Sequence, residues 1–147
     1  MKTLRTFSLV AMALAGLLAL PVLARESPAQ RDAADLARFQ RFASPPQDSM
    51  HYWQINRFQY LGPDAKGNDA LALWTGVNQV YLGTVDSPCL RLEYANAISL
   101  TSVSRNVNAR MDYVRYGHGN RCRINTIQKV DYKAMLAEDK AGAHAGE

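Results

Sequence analysis

A cluster of arginines lies towards the C-terminal end of the sequence. Five arginines and a single acid, Asp112, fall between positions 105 and 123. Because guanidinium groups bind phosphate and carboxylate groups through paired hydrogen bonds, such a segment is a candidate patch for an anionic ligand. The patch consists of Arg110, Asp112, Arg115, Arg121 and Arg123. The alternative interpretation is a solvated strand face, on which Asp112 forms a surface ion pair between Arg110 and Arg115.

The chain has two cysteines, Cys89 and Cys122. In an oxidising compartment an even number of cysteines indicates a disulfide, and with two the pairing is determined. Closing a loop of about 33 residues stabilises a fold by roughly 3–4 kcal/mol in the chain-entropy description. A redox-active or nucleophilic thiol is the alternative, but the sequence contains no Cys-x-x-Cys motif and places no histidine beside either cysteine.

The N-terminus has the three parts of a secretory signal. Lys2 and Arg5 precede an apolar run over 7–20, Pro21 interrupts it, and small or modest side chains lead to a cleavage site after Ala24. An uncleaved membrane anchor is the rival interpretation, but about 14 apolar residues fall short of the roughly 20 that a span requires. No cysteine stands at the cut, so the sequence predicts a periplasmic protein that is not a lipoprotein and has no transmembrane helix after cleavage.

Export changes the meaning of the net charge, which is +4 for the whole chain. Lys2 and Arg5 are removed with the signal, which weakens any argument from overall charge for nucleic-acid binding. Tyr113 and Tyr116, interleaved with the arginines, would suit single-stranded nucleic acid, but the compartment argues against that ligand. An anionic envelope component, such as a lipid headgroup, lipopolysaccharide or an acidic exported protein, is the expected partner.

Other residues that carry chemistry form no recognisable constellation. The histidines, His51, His118 and His144, are scattered, so no metal site is predicted, and no Gly-x-Ser-x-Gly or phosphate-binding glycine loop is present. No catalytic residue and no cofactor are therefore predicted. Trp53 and Trp74 could stack on a sugar or a peptide, but in a small domain both are expected in the core.

A helix is predicted near the start of the exported chain. Ser27 is a candidate N-cap before Pro28, and apolar residues over 29–42 recur with helical spacing. The residues at 44–46, Ser-Pro-Pro, end the helix and are interpreted as a hinge.

The remainder alternates in the manner of short strands separated by turns. The predicted strands cover 50–61, 70–75, 79–85, 97–103, 107–116 and 121–127. A bulge is expected near Asn56, the pair 70–75 and 79–85 forms the clearest hairpin, and Cys89 lies on a loop or single helical turn. The alternation over 107–116 places Val107, Ala109, Met111 and Tyr113 towards the core. In the last strand Cys122 and Ile124 point inward and the arginines outward.

These elements predict a mainly β fold, a small antiparallel barrel or sandwich of about six strands. An N-terminal helix and a short C-terminal helix, from 132 to about 140 and capped by Asp131, accompany the sheet. The organisation is a signal peptide at 1–24, a helical segment with the hinge at 25–46, a disulfide-tied β domain at 47–133, and a short helix with a disordered tail at 134–147.

An ordered set of short motifs resembles a family of small exported proteobacterial proteins that is known only as a domain of unknown function. The motifs are Leu-Trp-Thr-Gly-Val-Asn at 73–78, Pro-Cys at 88–89, Ala-Ile-Ser-Leu-Thr-Ser at 97–102, Arg-x-Asp-x-Val at 110–114 and Arg-Cys-Arg-Ile at 121–124. The resemblance covers roughly 35–133 and implies an exported, disulfide-bearing, mostly β domain. It implies no activity, ligand or catalytic residue.

Three functions are compatible with this sequence. The leading hypothesis is a non-enzymatic binding or envelope-associated domain, because a compact β scaffold carries a one-sided arginine strand. The second is a small inhibitor of an external hydrolase such as a lysozyme, since the size, compartment and disulfide fit. The third is an enzyme with a cryptic site, which would have a concave pocket with converging polar groups.

Overall fold

A computed structural model describes residues 26–102 and 104–144. The predicted signal peptide at 1–24 therefore lies outside the described residues, as do 145–147. The helices are α1 (Pro28–Arg41) and α2 (Tyr132–His144), with a 3₁₀ turn at Leu92–Tyr94. The strands are β1 (Ser49–His51), β2 (Arg57–Pro63), β3 (Asp69–Trp74), β4 (Val80–Val85), β5 (Ile98–Leu100), β6 (Asn106–Asn108), β7 (Tyr113–Tyr116) and β8 (Asn120–Val130).

The fold is mainly β, as the sequence predicted. Six strands form one curled antiparallel sheet, a half-barrel with the order β2-β3-β4-β8-β7-β5, and β1 pairs with β6 in a separate two-stranded sheet. The predicted hairpin is present: β3 and β4 pair from Asp69↔Val85 to Trp74↔Val80. β8 is the longest strand and lies between β4 and β7, so it joins the two halves of the sheet.

Both faces of β3 are covered, which explains why all six of its residues are buried. Leu71 and Leu73 belong to the core inside the curl of the sheet. Ala70, Ala72 and Trp74 belong to a second core beneath the helices. A strand covered on both sides is apolar throughout rather than alternating, so its sequence contains five consecutive apolar residues.

α1 begins as the sequence predicted. The Ser27 side chain accepts a hydrogen bond from the Gln30 N–H, and the Gln30 side chain accepts one from the Ser27 N–H, which is a capping box. Its buried face packs Phe39 edge-on against Trp74 at 5.7 Å between ring centroids. Tyr132 of α2 contacts the same indole at 5.9 Å, so Trp74 joins both helices to the sheet.

The proline segment that follows α1, interpreted from sequence as a hinge, lies along β8. The Ser44 N–H donates to the Lys129 carbonyl at 2.7 Å and the Gln47 N–H donates to the Ile127 carbonyl at 2.8 Å. α2 begins at the predicted cap, where Asp131 Oδ1 accepts the Ala134 N–H at 3.0 Å. The helix extends past the predicted end near 140 to His144.

The single strand predicted over 50–61 is wrong. The chain pairs with β6 at β1, leaves that sheet where the Tyr52 N–H donates to the Arg105 carbonyl at 2.9 Å, and enters the large sheet at β2. The expected bulge near Asn56 is therefore a crossing between two sheets. Asn56 marks the entry, because its N–H donates to the Trp74 carbonyl at 2.7 Å.

The continuous strand predicted over 107–116 is also wrong. β6 ends at Asn108, and a turn with Arg110 at φ 68° separates it from β7. The turn reverses the alternation, so that Met111 is exposed and Val114 and Tyr116 are the buried residues of β7. Periodicity missed the break because the residues on either side of the turn are equally suited to strands.

Candidate functional site

The outer face of β7 and β8 carries three of the predicted arginines. Arg115 lies directly opposite Arg121, and Tyr113 lies opposite Arg123. Paired residues of an antiparallel ladder project to the same side, so these four side chains share one surface, here called the arginine face. Val114 and Cys122, which alternate with them, are buried. The outward orientation of Arg121 and Arg123 agrees with the sequence prediction.

Arg123 has an acidic partner. Its Nε donates to Asp86 Oδ2 at 2.9 Å, and its carbonyl accepts the Asp86 N–H at 2.9 Å. The side chains are both about half exposed, so the ion pair contributes little to stability. Its effect is to hold the arginine beside the loop that follows β4.

Arg115 and Arg121 are different. The salt bridges within residues 26–102 and 104–144 join Arg38 to Asp139, Arg41 to Glu138 and Arg123 to Asp86. Neither Arg115 nor Arg121 has a carboxylate partner in that part of the chain. The Arg121 guanidinium stacks on the Tyr113 ring at 5.1 Å from its centroid. Like charges placed directly opposite each other on a sheet repel, so this pair opposes folding.

The other two residues of the predicted patch lie in the turn before β7. Asp112 was expected to pair with Arg110 or Arg115, but its carboxylate accepts the Asn108 N–H at 2.7 Å and the Thr101 hydroxyl at 3.1 Å. Its role is to close the turn. The Arg110 N–H donates to the Ile124 carbonyl at 2.5 Å, which places Arg110 before the start of β7 and beside β8.

An open groove of about 1020 Å³ adjoins the arginine face where β5 begins and β7 ends. We call it the edge groove. One wall is the segment 91–99, and the other is the segment 115–120. Three of its lining residues, Arg91, Arg115 and His118, have basic side chains, and no acid is among the described residues that line it. Tyr94 stands on its wall with 75% of its surface exposed.

A disulfide positions the wall that carries Arg91. Cys89 and Cys122 are bonded, as predicted, with their Cα atoms 6.0 Å apart. Further contacts hold the same loop, because the Tyr116 hydroxyl donates to the Leu90 carbonyl at 3.1 Å and the Cys89 N–H donates to Asp69 Oδ2 at 3.1 Å. The loop is therefore tied to β3, β7 and β8 immediately before Arg91.

Asp69 also orders the interior beside the disulfide. Its Oδ1 accepts the Tyr60 hydroxyl at 2.8 Å, and Asp69 is 8% exposed. Burial and this hydrogen bond both raise the pKa of Tyr60 above its usual range. Burial, with the nearby Asp69 charge, raises the pKa of Tyr116 as well. Both tyrosines are neutral donors at ordinary pH, which suits a fixed structural network.

The two tryptophans have different environments. Trp74 is 6% exposed, as expected for a core residue, whereas the same prediction for Trp53 is wrong because it is 70% exposed. The Arg105 guanidinium covers the Trp53 ring at 3.6 Å from its centroid. Trp53 lies on the crossing between the two sheets. Because this segment was predicted as part of one strand, Trp53 was not expected to be exposed.

The interior of the half-barrel is filled by side chains. The cavity between Leu71, Leu73, Val114 and Ile124 measures about 10 Å³, no more than the space of a single water molecule. Concave binding surfaces are therefore external. Within the described residues, no three His, Cys, Asp or Glu side chains form a group that could hold a metal ion. Neither described helix has the length and apolar character of a membrane span.

Sequence reasoning found Arg115 and Arg121 but not their position beside a groove. Arg91 was given no role, and His118 was treated only as part of a Gly-His-Gly turn. The signal that could have located them is the disulfide, because a Cys89–Cys122 bond brings both neighbouring segments to one end of the sheet.

Comparison with known families identifies the family of this chain. Residues 5–146 match the family of unknown function DUF6491. The chain belongs to this family. The match confirms the predicted membership of a domain of unknown function, and it extends beyond the 35–133 over which the motifs were recognised. No curated protein and no solved structure matches the chain. DUF6491 membership therefore assigns no ligand to the arginine face.

Proposed function

We propose that this DUF6491 protein is exported to the periplasm by a cleaved signal peptide at 1–24 and acts there as a non-enzymatic, envelope-associated binding domain. Its arginine face and edge groove would bind an anionic component of the envelope. The observation that carries the proposal is the pair Arg115 and Arg121, which face each other across the β7–β8 ladder. Within the described residues, neither arginine forms a salt bridge with a carboxylate.

The physical reason is that the arrangement has a cost and the described fold gains nothing evident from it. Arg115 is exposed and could be replaced by a neutral polar residue without loss of a buried contact, and Arg121 would lose only its stacking on Tyr113. An anion bridging the two guanidinium groups would convert the repulsion into two charge-assisted interactions. The repulsion at this surface is therefore relieved when an anionic group is bound.

Two features support export. The N-terminal sequence has the charged, apolar and cleavage regions of a signal. The cysteines are bonded to each other and buried at 5% and 8% exposure, a pairing that persists in oxidising compartments. Isolating the periplasmic fraction and sequencing the N-terminus tests this directly. We expect the mature chain to begin at Arg25, and a membrane-bound chain beginning at Met1 would contradict the proposal.

Binding is tested on the exported protein with two probes, phosphatidylglycerol vesicles and a soluble acidic peptide, against neutral phosphatidylcholine vesicles. We expect at least one anionic probe to bind, and Arg115→Glu with Arg121→Glu to weaken that binding by about tenfold or more. The matched control is Lys133→Glu with Lys140→Glu, which changes the net charge equally at exposed α2 residues that form no salt bridge within the described residues. Equal losses in both variants, or no binding of either anionic probe, would contradict a specific site.

A further inference from the structure

The half-barrel has two edge strands, and the described chain protects their free edges to different degrees. β2, at one edge, packs against α1, is interrupted by an irregularity between Tyr60 and Pro63, and ends in that proline. These are common means of blocking a sheet edge. β5, at the other edge, has neither a proline nor a lysine. Within the described residues, its one partner strand is β7.

The backbone of β5 presents unused hydrogen-bonding groups. The Thr101 N–H donates to the Tyr113 carbonyl at 3.1 Å, so in this antiparallel ladder Thr101 and Ser99 turn their backbone groups towards β7. Ile98 and Leu100 accordingly turn theirs away. Among the described residues, no backbone hydrogen bond uses the N–H or C=O of Ile98 or Leu100. These groups match the spacing of a further antiparallel or parallel strand.

Basic side chains lie beside this edge and line the edge groove. Arg115 lies opposite Ser99 on the same face of the sheet, and Arg91 lines the groove that runs along the segment preceding β5. The nearest acid in sequence, Glu93, is not among the residues that line that groove. Arg91 also adopts φ 66° and ψ 17°, a left-handed conformation that is unfavourable for any residue with a side chain.

From these observations we infer that the anionic partner is an extended acidic segment of another exported protein, which adds to the edge of β5. The inference rests on the proposed function and names its ligand. Backbone groups of the segment would pair with Ile98 and Leu100, while alternate acidic side chains would reach Arg115 and Arg91. Because β5 is only three residues long, the strand pairing is short and the charges supply much of the affinity.

Apolar surface at the rim of the edge groove defines a further requirement. Leu90 and Tyr94 flank Arg91 and are 72% and 75% exposed. Since side chains of an extended segment alternate between two faces, acids on one face and apolar residues on the other would contact the arginines and this rim together. The recognised pattern is therefore alternating acidic and β-branched residues.

The test uses the exported protein and a fluorescent peptide of alternating glutamate and valine, with binding followed by anisotropy. Two further peptides carry N-methyl groups on alternate amides, in one register or the other. Only the amides of one register can donate to β5, so we expect one methylated peptide to bind like the parent and the other to lose about tenfold or more in affinity. Arg115→Glu should weaken the parent peptide by a similar factor, and a lysine–valine peptide should not bind.

A second measurement locates the peptide. Amide exchange at Ile98 and Leu100, followed by NMR, should slow when the parent peptide is bound. Equal binding of both methylated peptides would show attraction by charge alone and would overturn the edge-strand inference. Arginine-dependent binding of phosphatidylglycerol vesicles without binding of the peptide would overturn the inference and leave the proposed function standing. Failure of both probes would remove the two together.

Discussion

Reversing the charge of Arg115 should stabilise this protein. The residue faces Arg121 across the ladder, and Arg115→Glu would replace a repulsive pair with an attractive one. Arg115 is the better choice for the change, because Arg121 also stacks on Tyr113 and its replacement would lose that contact. The prediction tests the premise of the proposed function, that the fold bears a cost at this surface.

The magnitude follows from the exposure of the pair. An opposite-charge pair directly across a sheet contributes about 0.2–1 kcal/mol, and a like-charge pair costs a similar amount. Solvent screening favours the low end for side chains as exposed as these. Going from one to the other should raise the free energy of unfolding by about 0.5 kcal/mol at low salt. For a domain of roughly 120 residues, this corresponds to a rise in Tm of about 2 °C.

The assay is thermal and urea unfolding of the oxidised protein at two ionic strengths. The stabilisation should shrink between about 0.01 M and 1 M salt, because the Debye length falls from roughly 30 Å to 3 Å. Arg123→Glu is the matched control, since it makes the same change of charge on the same face but places two acids together at Asp86. It should destabilise. If Arg115→Glu were neutral or destabilising at low salt, or if both variants stabilised equally, the reasoning from the opposed pair would be refuted.

Three further predictions concern the elements that position the site. Replacing Cys89 and Cys122 by alanine opens a loop with a sequence separation of 33, so unfolding in denaturant should show a loss of about 3.7 kcal/mol; a loss below about 1 kcal/mol would contradict a stabilising role. Arg110→Gly should raise Tm, because φ 68° strains an arginine by about 1 kcal/mol, whereas an unchanged or lower Tm would show that the side chain compensates. Folding favours the neutral form of Tyr60, so its contribution to the free energy of unfolding should be fully present below the unfolded tyrosine pKa of 10.0 and decline above it. Tyr60→Phe, which cannot ionise, should flatten that decline in urea titrations at increasing pH. An unaltered pH profile would exclude the phenol next to Asp69 as the cause.

The sequence correctly predicted the features of the fold that depend on local interactions. Ser27 caps α1, Asp131 caps α2, and the hairpin of β3 and β4 follows from β-rich residues around a short turn. Each of these features depends on residues only a few positions apart. The cysteine pairing was also predictable, because two cysteines in an oxidising compartment leave one choice.

What the sequence did not reveal depends on contacts between distant segments. Residues 50–61 were expected to form one strand because nothing local distinguishes a bulge from the crossing at Tyr52, which is decided by a hydrogen bond to Arg105. The phase of 107–116 depends on Asp112, whose carboxylate closes a turn and reverses which residues face the core. An error of one residue in a strand moves every side chain to the other face, so Met111 was assigned to the core and is exposed.

The same limit applied to the candidate site. Alternation identified Arg121 and Arg123 as outward residues, but only the register of β7 on β8 shows that Arg115 and Arg121 oppose each other. The edge position of β5 depends on the order of six strands, which short-range patterns do not contain. Arg91 became a candidate only when the disulfide-tied loop was seen to lie beside β5 and the 117–120 turn.

Three described residues other than glycine have positive φ angles, and all three are arginines: Arg91, Arg105 and Arg110. Glycine or asparagine would adopt this conformation at lower cost, so stability does not explain the choice. Arg105 covers the exposed Trp53 ring, and Arg91 lines the edge groove. These three arginines, like the opposed pair on the arginine face, occupy positions where we expect another residue to make the fold more stable. Strain of this kind is concentrated at functional surfaces, and a single loop substitution, Arg91→Gly, separates the two contributions because it should stabilise the fold and weaken binding of the acidic peptide at the same time.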